Sequence, residues 1–246
     1  MIAIHPLHGI GEVMPGDDLV SLLAGALASA DLLPLAAGDV LVVTQKIVSK
    51  AEGRFVDLAG VEPRAEAARL AAITHKPPNF VEQVLAEASA VVRAAPNVLI
   101  TRHRLGHVMA NSGIDRSNIG EGDGDRALLL PVDPDASAAR IGDGLGCAVV
   151  ISDSFGRPWR YGVTGVAIGA SGLLSLVDRR GERDRDGRML EVTQVALADS
   201  IACAAGLATG EGAESVPAVL VRGLVLPEGA SPATALVRPL EEDLFR

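Results

Sequence analysis

Two runs of branched apolar residues, Val40-Leu41-Val42-Val43 and Ala148-Val149-Val150-Ile151-Ser152, constrain this chain most. Neither alternates with polar residues. A continuous apolar run of strand length reads as a buried strand. Val216–Arg222 reads as a final strand and Ile2–Ile4 as a short first one. Both long runs end abruptly in polar residues, Thr44-Gln45-Lys46 in one case and Asp153-Ser154 in the other. Chemistry is often placed at the ends of buried strands.

Helical segments separate these strands. Asp17 and Asp18 open a helix through about Ala30, with Leu19, Leu22, Leu23, Ala26 and Leu27 at helical spacing. Pro63 introduces a helix over 64–75, Pro77-Pro78 breaks it, and a second runs from Asn79 to Ser89. Val91-Val92 and Asn97–Thr101 read as paired strands, Asp133–Leu145 as a helix and 190–208 as a long helix. A Gly-rich section covers 155–175, a charged loop 178–188, and Ser231–Val237 a short helix. The fold class is α+β, a mixed α/β arrangement with mixed sheets, read as one domain over 1–246.

Composition narrows the function. The 246 residues carry 22 basic against 31 acidic side chains, a formal charge of −9, which speaks against nucleic acid or an anionic membrane as partner. No apolar run is long enough to span a bilayer without a polar break, and the N-terminus lacks a signal-peptide pattern, so a cytoplasmic protein is expected. Of the basic residues only Lys46, Lys50 and Lys76 are lysines. Lysines kept against an arginine background can mark a need for a compact ammonium. Cys147 and Cys203 sit in apolar surroundings and are expected to be buried free thiols.

There is no phosphate loop of the Walker type, and Gly142–Gly146 precedes a strand, so it reads as a turn. His103 and His107 lack the glutamate of a zinc-hydrolase motif and read as polar strand or loop residues. Five segments combine glycine with hydroxyl, amide or carboxylate groups. Gly9-Ile10-Gly11-Glu12 is a turn whose backbone N–H groups could cradle an anion or a base. Gln45–Arg54 is a strand end where Ser49 and Lys50 suit a phosphate or solvent. Asn111–Asn118 is either an Asx-rich turn or an oxygen-donor site with Asp115 as ligand. Asp153 could share that cation and Ser154 hold another, with Phe155, Trp159 and Tyr161 following as an apolar clamp or as core. Glycines around Glu211 form either a helix-ending turn or a cation site.

In their order along the chain, QKIVSKAEGR (45–54), NSGIDRSN (111–118), ISDSFGRPWRYGVTGVAIGASG (151–172), the 178–188 loop and GEG…VPAVLVRGL (210–224) resemble one family. It is the coenzyme F-420-0:L-glutamate ligases, or F-420 gamma-glutamyl ligases. The resemblance runs from GIGEV to the EEDLFR end. It implies a GTP-dependent amide ligase of coenzyme F-420 biosynthesis that activates the terminal carboxylate of F-420-0 as an acyl phosphate. The amine of L-glutamate then attacks, and further glutamates join through γ-carboxylates.

The resemblance also implies two divalent ions, Mg²⁺ or Mn²⁺, with K⁺ assisting, and an intertwined homodimer. By motif position Asp115 and Asp153 bind one ion, and Ser154 with Glu211 the other. Gly9, Ile10, Gly11, Glu12, Gln45, Lys46, Lys50, Asn118, Thr209, Gly210 and Gly212 contact GTP. No residue is assigned as the general base. Some bacterial relatives continue into a C-terminal flavin-binding, nitroreductase-like domain, which makes a natural fusion an open question for this chain. The competing reading of the acidic pair is a metal-dependent phosphohydrolase or nucleotidyltransferase.

Overall fold

The apolar runs are neighbours in one sheet. In the computed structural model, which describes residues 1–120 and 125–243, the chain forms twelve strands and six α-helices. The first half contains β1 (Ala3–Leu7), α1 (Leu19–Ser29), β2 (Val40–Thr44), α2 (Gln45–Ala51), β3 (Phe55–Asp57), α3 (Ala65–Thr74), α4 (Pro78–Glu87), β4 (Ala88–Ala95), β5 (Val98–His103) and β6 (Val108–Ala110). The second contains β7 (Arg126–Leu128), α5 (Pro134–Leu145), β8 (Ala148–Arg157), β9 (Arg160–Ser171), β10 (Leu176–Asp178), β11 (Gln194–Ala196), α6 (Leu197–Thr209) and β12 (Ala218–Arg222).

The central sheet has the order β1-β12-β2-β8-β9. β2 and β8 pair in parallel, with Val40 opposite Ala148 and Thr44 opposite Ser152, while the other pairings are antiparallel. The sheet is therefore mixed, as the sequence predicts. Alternation along β2 explains its unbroken apolar run. Leu41 and Val43 face a core completed by Leu23 and Leu27 of α1 and Ile141 of α5. Val40 and Val42 face Ala198, Ile201 and Ala205 of α6 on the other side. A third core gathers Leu70 of α3, Val81 and Val84 of α4, and Leu99 of β5.

Local signals hold at most boundaries. Asp18 accepts from Val20 N–H at the start of α1, and Asp133 accepts from Ala136 N–H at the start of α5. The Val91 and Asn97 segments pair as the β4–β5 hairpin. Differences lie where glycine or a short helix intervenes. The Gly142–Gly146 stretch is not a free turn: it forms the last turn of α5, closed by Gly146 at φ 69°. The segment after β2 is not a strand end but the seven-residue helix α2. The long helix begins at Leu197, because Gln194–Ala196 pairs with β10 first.

The Gly-rich section is a strand. Ile151 lies opposite Gly169 and Ser152 opposite Ala167, so Ile168 is an extra residue in β9, a β-bulge. The bulge turns Gly165 and Gly169 toward different helices. A Cβ on Gly165 would stand 2.5 Å from the Ala202 carbonyl oxygen of α6, and one on Gly169 would stand 2.4 Å from the Pro134 carbonyl oxygen of α5. Helices pack on both faces of β9 so closely that only glycine fits.

Both cysteines are free thiols. Cys147 is half-buried, but Cys203 is exposed on α6, beside the Thr164 hydroxyl, against the expectation of burial. His103 and His107 are buried rather than ordinary loop residues, with 0% and 8% exposure. No helix among the described residues is long and apolar enough to cross a membrane. Of the EEDLFR end, residues 244–246 lie outside the described residues.

Candidate functional site

The ends of β2 and β8 and the loop after α6 enclose a cavity of about 1070 Å³. Its wall includes Ile10, Gly11, Glu12, Gln45, Lys46, Lys50, Asn118, Asp153, Ser154, Thr209, Gly210, Glu211 and Gly212. Segments as distant as Ile10 and Gly212 are thus brought to one place. Of the residues expected in the site, Gly9 and Asp115 do not line this wall, but Asp115 is bonded directly to Gln45 behind it.

Parallel pairing creates this convergence. It aligns the C-terminal ends of β2 and β8, so Gln45 follows Thr44 beside Ser152 and Asp153. Asp115 arrives on a third segment, with its N–H and C=O both bonded to Leu128 in β7. Gln45 Nε2 donates to Asp115 Oδ2 at 2.8 Å, and Lys46 Nζ lies 3.7 Å from Asp115 Oδ1. Lys46 also donates to the Ser117 carbonyl at 3.2 Å.

The loop after α6 completes the wall. α6 stops at Gly210, whose φ of 67° with ψ of −177° suits only glycine. Glu211 then accepts from Ser154 Oγ at 2.6 Å, and Asn118 Nδ2 donates to the Gly212 carbonyl at 3.2 Å. On the opposite wall Lys50, only 5% exposed, donates to Glu12 Oε1 at 2.6 Å.

The acids strain against one another. Burial, then the neighbouring charge of Asp115, pushes the Asp153 carboxyl up to about 7. Burial also raises Asp115, opposed by Lys46 and Gln45. Carboxylates desolvated this way and placed in a cleft mark a functional site. Among the described residues no group of three His, Cys, Asp or Glu side chains stands close enough to hold a metal ion by itself. Asp115, Asp153, Ser154 and Glu211 would make an open, all-oxygen site. Magnesium-like ions take such sites, using one or two carboxylates and completing their shell with water and substrate phosphates.

Several lining residues were missed as site candidates. Thr44 and Ser152 form the last parallel pair of β2 and β8, a relationship that needs the strand register. Arg116 also lines the cavity, is ion-paired with Asp125 at 2.5 Å, and stacks over Phe80. Its place next to Asp115 was the available signal. The aromatic clamp does not form here. Phe155, Trp159 and Tyr161 do not line the cavity: Trp159 and Tyr161 sit on the outer β8–β9 hairpin, 83% and 103% exposed, and Phe155 packs edge-on against His107.

Comparison with known proteins gives the family. A family model described as F420-0:Gamma-glutamyl ligase matches residues 9–223, which include every candidate site residue above. The chain belongs to that family. A coenzyme F420:L-glutamate ligase of Methanothermobacter thermautotrophicus is 43% identical over the whole of this chain and 99% of its own length. The namesake from Methanopyrus kandleri is 44% identical over the whole chain and 98% of its own. One from Halobacterium salinarum is 47% identical, covering 88% of this chain and 85% of its own. The F-420 ligase family therefore extends across the sheet, the cavity and the loop after α6.

Proposed function

We propose that the chain joins L-glutamate to F-420-0 in a GTP-dependent reaction of coenzyme F-420 biosynthesis. The observation that carries this reading is the cavity itself, whose wall brings together Asp153, Ser154, Glu211, Lys46 and Lys50, with Asp115 beside Lys46 just behind it. Family membership over nearly the whole chain supports the glutamate ligation.

The reaction needs positioning and charge neutralisation more than covalent help from the protein. In the proposed sequence a terminal carboxylate oxygen of F-420-0 attacks the γ-phosphorus of GTP, and the bond to the β-phosphate oxygen breaks, giving GDP. The α-amine of glutamate then attacks the acyl carbon. Phosphate departs, the amine loses a proton, and an amide forms. Divalent ions held by Asp115, Asp153, Ser154 and Glu211 would neutralise the phosphate charge. Lys50 supplies a fixed ammonium whose stem is packed in the protein, and Lys46 a second one at the rim. Glycines 11, 210 and 212 let backbone approach the nucleotide closely. A homodimer belongs to the same proposal; exposed Tyr161 and Val163 on the projecting hairpin support it.

The test is incubation with GTP, Mn²⁺, F-420-0 and L-glutamate. The product should gain the mass of one glutamyl residue, with one GDP formed per amide. GDP release indifferent to F-420-0 would overturn the ligase reading in favour of a phosphohydrolase.

A further inference from the structure

We infer that Gln45 and Ser49 are positioning residues that lock the Asp115 carboxylate in place for a divalent cation. The inference rests on the metal reading of the site given above and adds a device behind it. Gln45 is 1% exposed and Ser49 0%. They stand one turn apart on α2, so their side chains meet on one face. Ser49 Oγ donates to Gln45 Oε1 at 2.9 Å, and Gln45 Nε2 donates to Asp115 Oδ2 at 2.8 Å.

Direction in this relay follows from chemistry. An amide oxygen only accepts, and an ionised carboxylate only accepts. Turned over, the Gln45 amide would set its oxygen against the carboxylate and its NH₂ against Ser49. The carboxylate, which only accepts, selects the other orientation, with the NH₂ toward Asp115, and the serine hydroxyl satisfies the amide oxygen that this leaves behind. A buried amide left without partners is costly, so the arrangement is strongly preferred.

Asp115 is thereby held twice. Its backbone N–H and C=O are bonded to Leu128 at 2.9 and 2.8 Å, and its Oδ2 to Gln45. Oδ1 is left facing the Lys46 ammonium at 3.7 Å. The resemblance implies a nucleotide contact for Gln45, which lines the cavity; its side-chain NH₂ is engaged with the carboxylate. Outer partners that orient metal ligands are worth about 10- to 100-fold in metal affinity.

The experiment titrates Mn²⁺ into nucleotide-free protein, following free Mn²⁺ by electron paramagnetic resonance, with circular dichroism to check folding. Ser49→Ala, which removes one hydroxyl, and Gln45→Leu, which removes the donor, should each weaken Mn²⁺ binding by about 10- to 100-fold. Ser49→Thr, which restores the hydroxyl, should recover the affinity. Wild-type affinity in folded Ser49→Ala overturns the relay, as does a wild-type protein that binds no Mn²⁺. Because the titration contains no GTP, F-420-0 or glutamate, a failed ligase assay with a positive titration refutes the ligation reading and leaves the relay standing.

Discussion

Ser154 on β8 donates its hydroxyl to the Glu211 carboxylate 2.6 Å away, tying the end of the central sheet to the loop after α6. Two of the proposed ligands thus hold each other before any cation arrives, and they hold the cavity wall at a point where both side chains are exposed. Breaking this bond costs little stability, since exposed pairs contribute little. Its removal should be felt in chemistry.

Asp153→Asn and Glu211→Gln should therefore lose divalent-dependent glutamyl transfer by at least about 10- to 100-fold while remaining folded. Steady-state rates across a Mn²⁺ series check this. Wild-type rates in either variant would remove that residue from the metal site.

The raised Asp153 carboxyl makes metal-free stability depend on pH. Its folded value of about 7 lies above the ordinary aspartate value of 3.8, so the folded protein holds this proton more tightly than the unfolded chain. The stability it contributes is present at low pH and disappears as pH rises through about 7. Thermal melts in chelator from pH 5 to 8.5 should show wild type losing ground to Asp153→Asn. Parallel curves for the two proteins would contradict the shift.

Glu87 behaves in the opposite sense. Its Oε2 accepts from Arg54 at 3.3 Å and Arg104 at 3.1 Å and faces His103 Nε2 at 3.4 Å. The neighbouring His103, opposed by burial and helped by Arg104 and Arg54, holds the carboxyl down at about 2. That stability is full above the ordinary glutamate range and is lost as pH falls through about 2. Glu87→Gln should cost on the order of 2–3 kcal/mol at pH 7. The gap from wild type in urea unfolding should narrow below pH 4 or so; a constant gap would show that the charge is not the cause.

Lys50 is buried with its stem in the core and its ammonium on Glu12, so Lys50→Met keeps the packing and removes the charge. The KM for GTP should rise about 10- to 100-fold, the range expected for a lost charge-assisted hydrogen bond. Isothermal titration with GDP offers an independent reading. Unchanged nucleotide affinity would leave the ammonium a purely structural partner of Glu12.

Gly165→Ala places a methyl 2.5 Å from the Ala202 carbonyl and must push α6 off the sheet. A loss of about 1–3 kcal/mol is expected from this overpacking. α6 ends at Thr209 and leads into Gly210 and Glu211, so activity should fall with stability. An alanine variant as stable and active as wild type would show that the helix can shift freely.

Elements with strong local signals were readable from sequence: the two buried strands, the Asp18 and Asp133 caps, and the proline-broken helix pair. β9 was not, because glycine is depleted in strands and its glycines answer to helices packed from both sides. α2 was not, because seven residues whose β-branched pair Ile47-Val48 sits at the centre carry too little periodicity to separate helix from strand. The site was legible as a set of motifs. Its internal bonding was not, since Gln45 and Asp115 are 70 positions apart. Trp159 and Tyr161 follow Asp153 closely in sequence, yet the hairpin carries them outward, away from the cavity.

The position of β12 sets an order of assembly. It lies between β1 and β2 and hydrogen-bonds to both, although it is the last of the twelve strands to be made. Until Ala218–Arg222 emerges, the first strand has no partner in the sheet, and Thr44 lacks its bond to the Pro217 carbonyl. The nascent protein therefore carries its acidic site residues with the floor beneath them unfinished until β12 has been made, and catalytic competence waits for that strand.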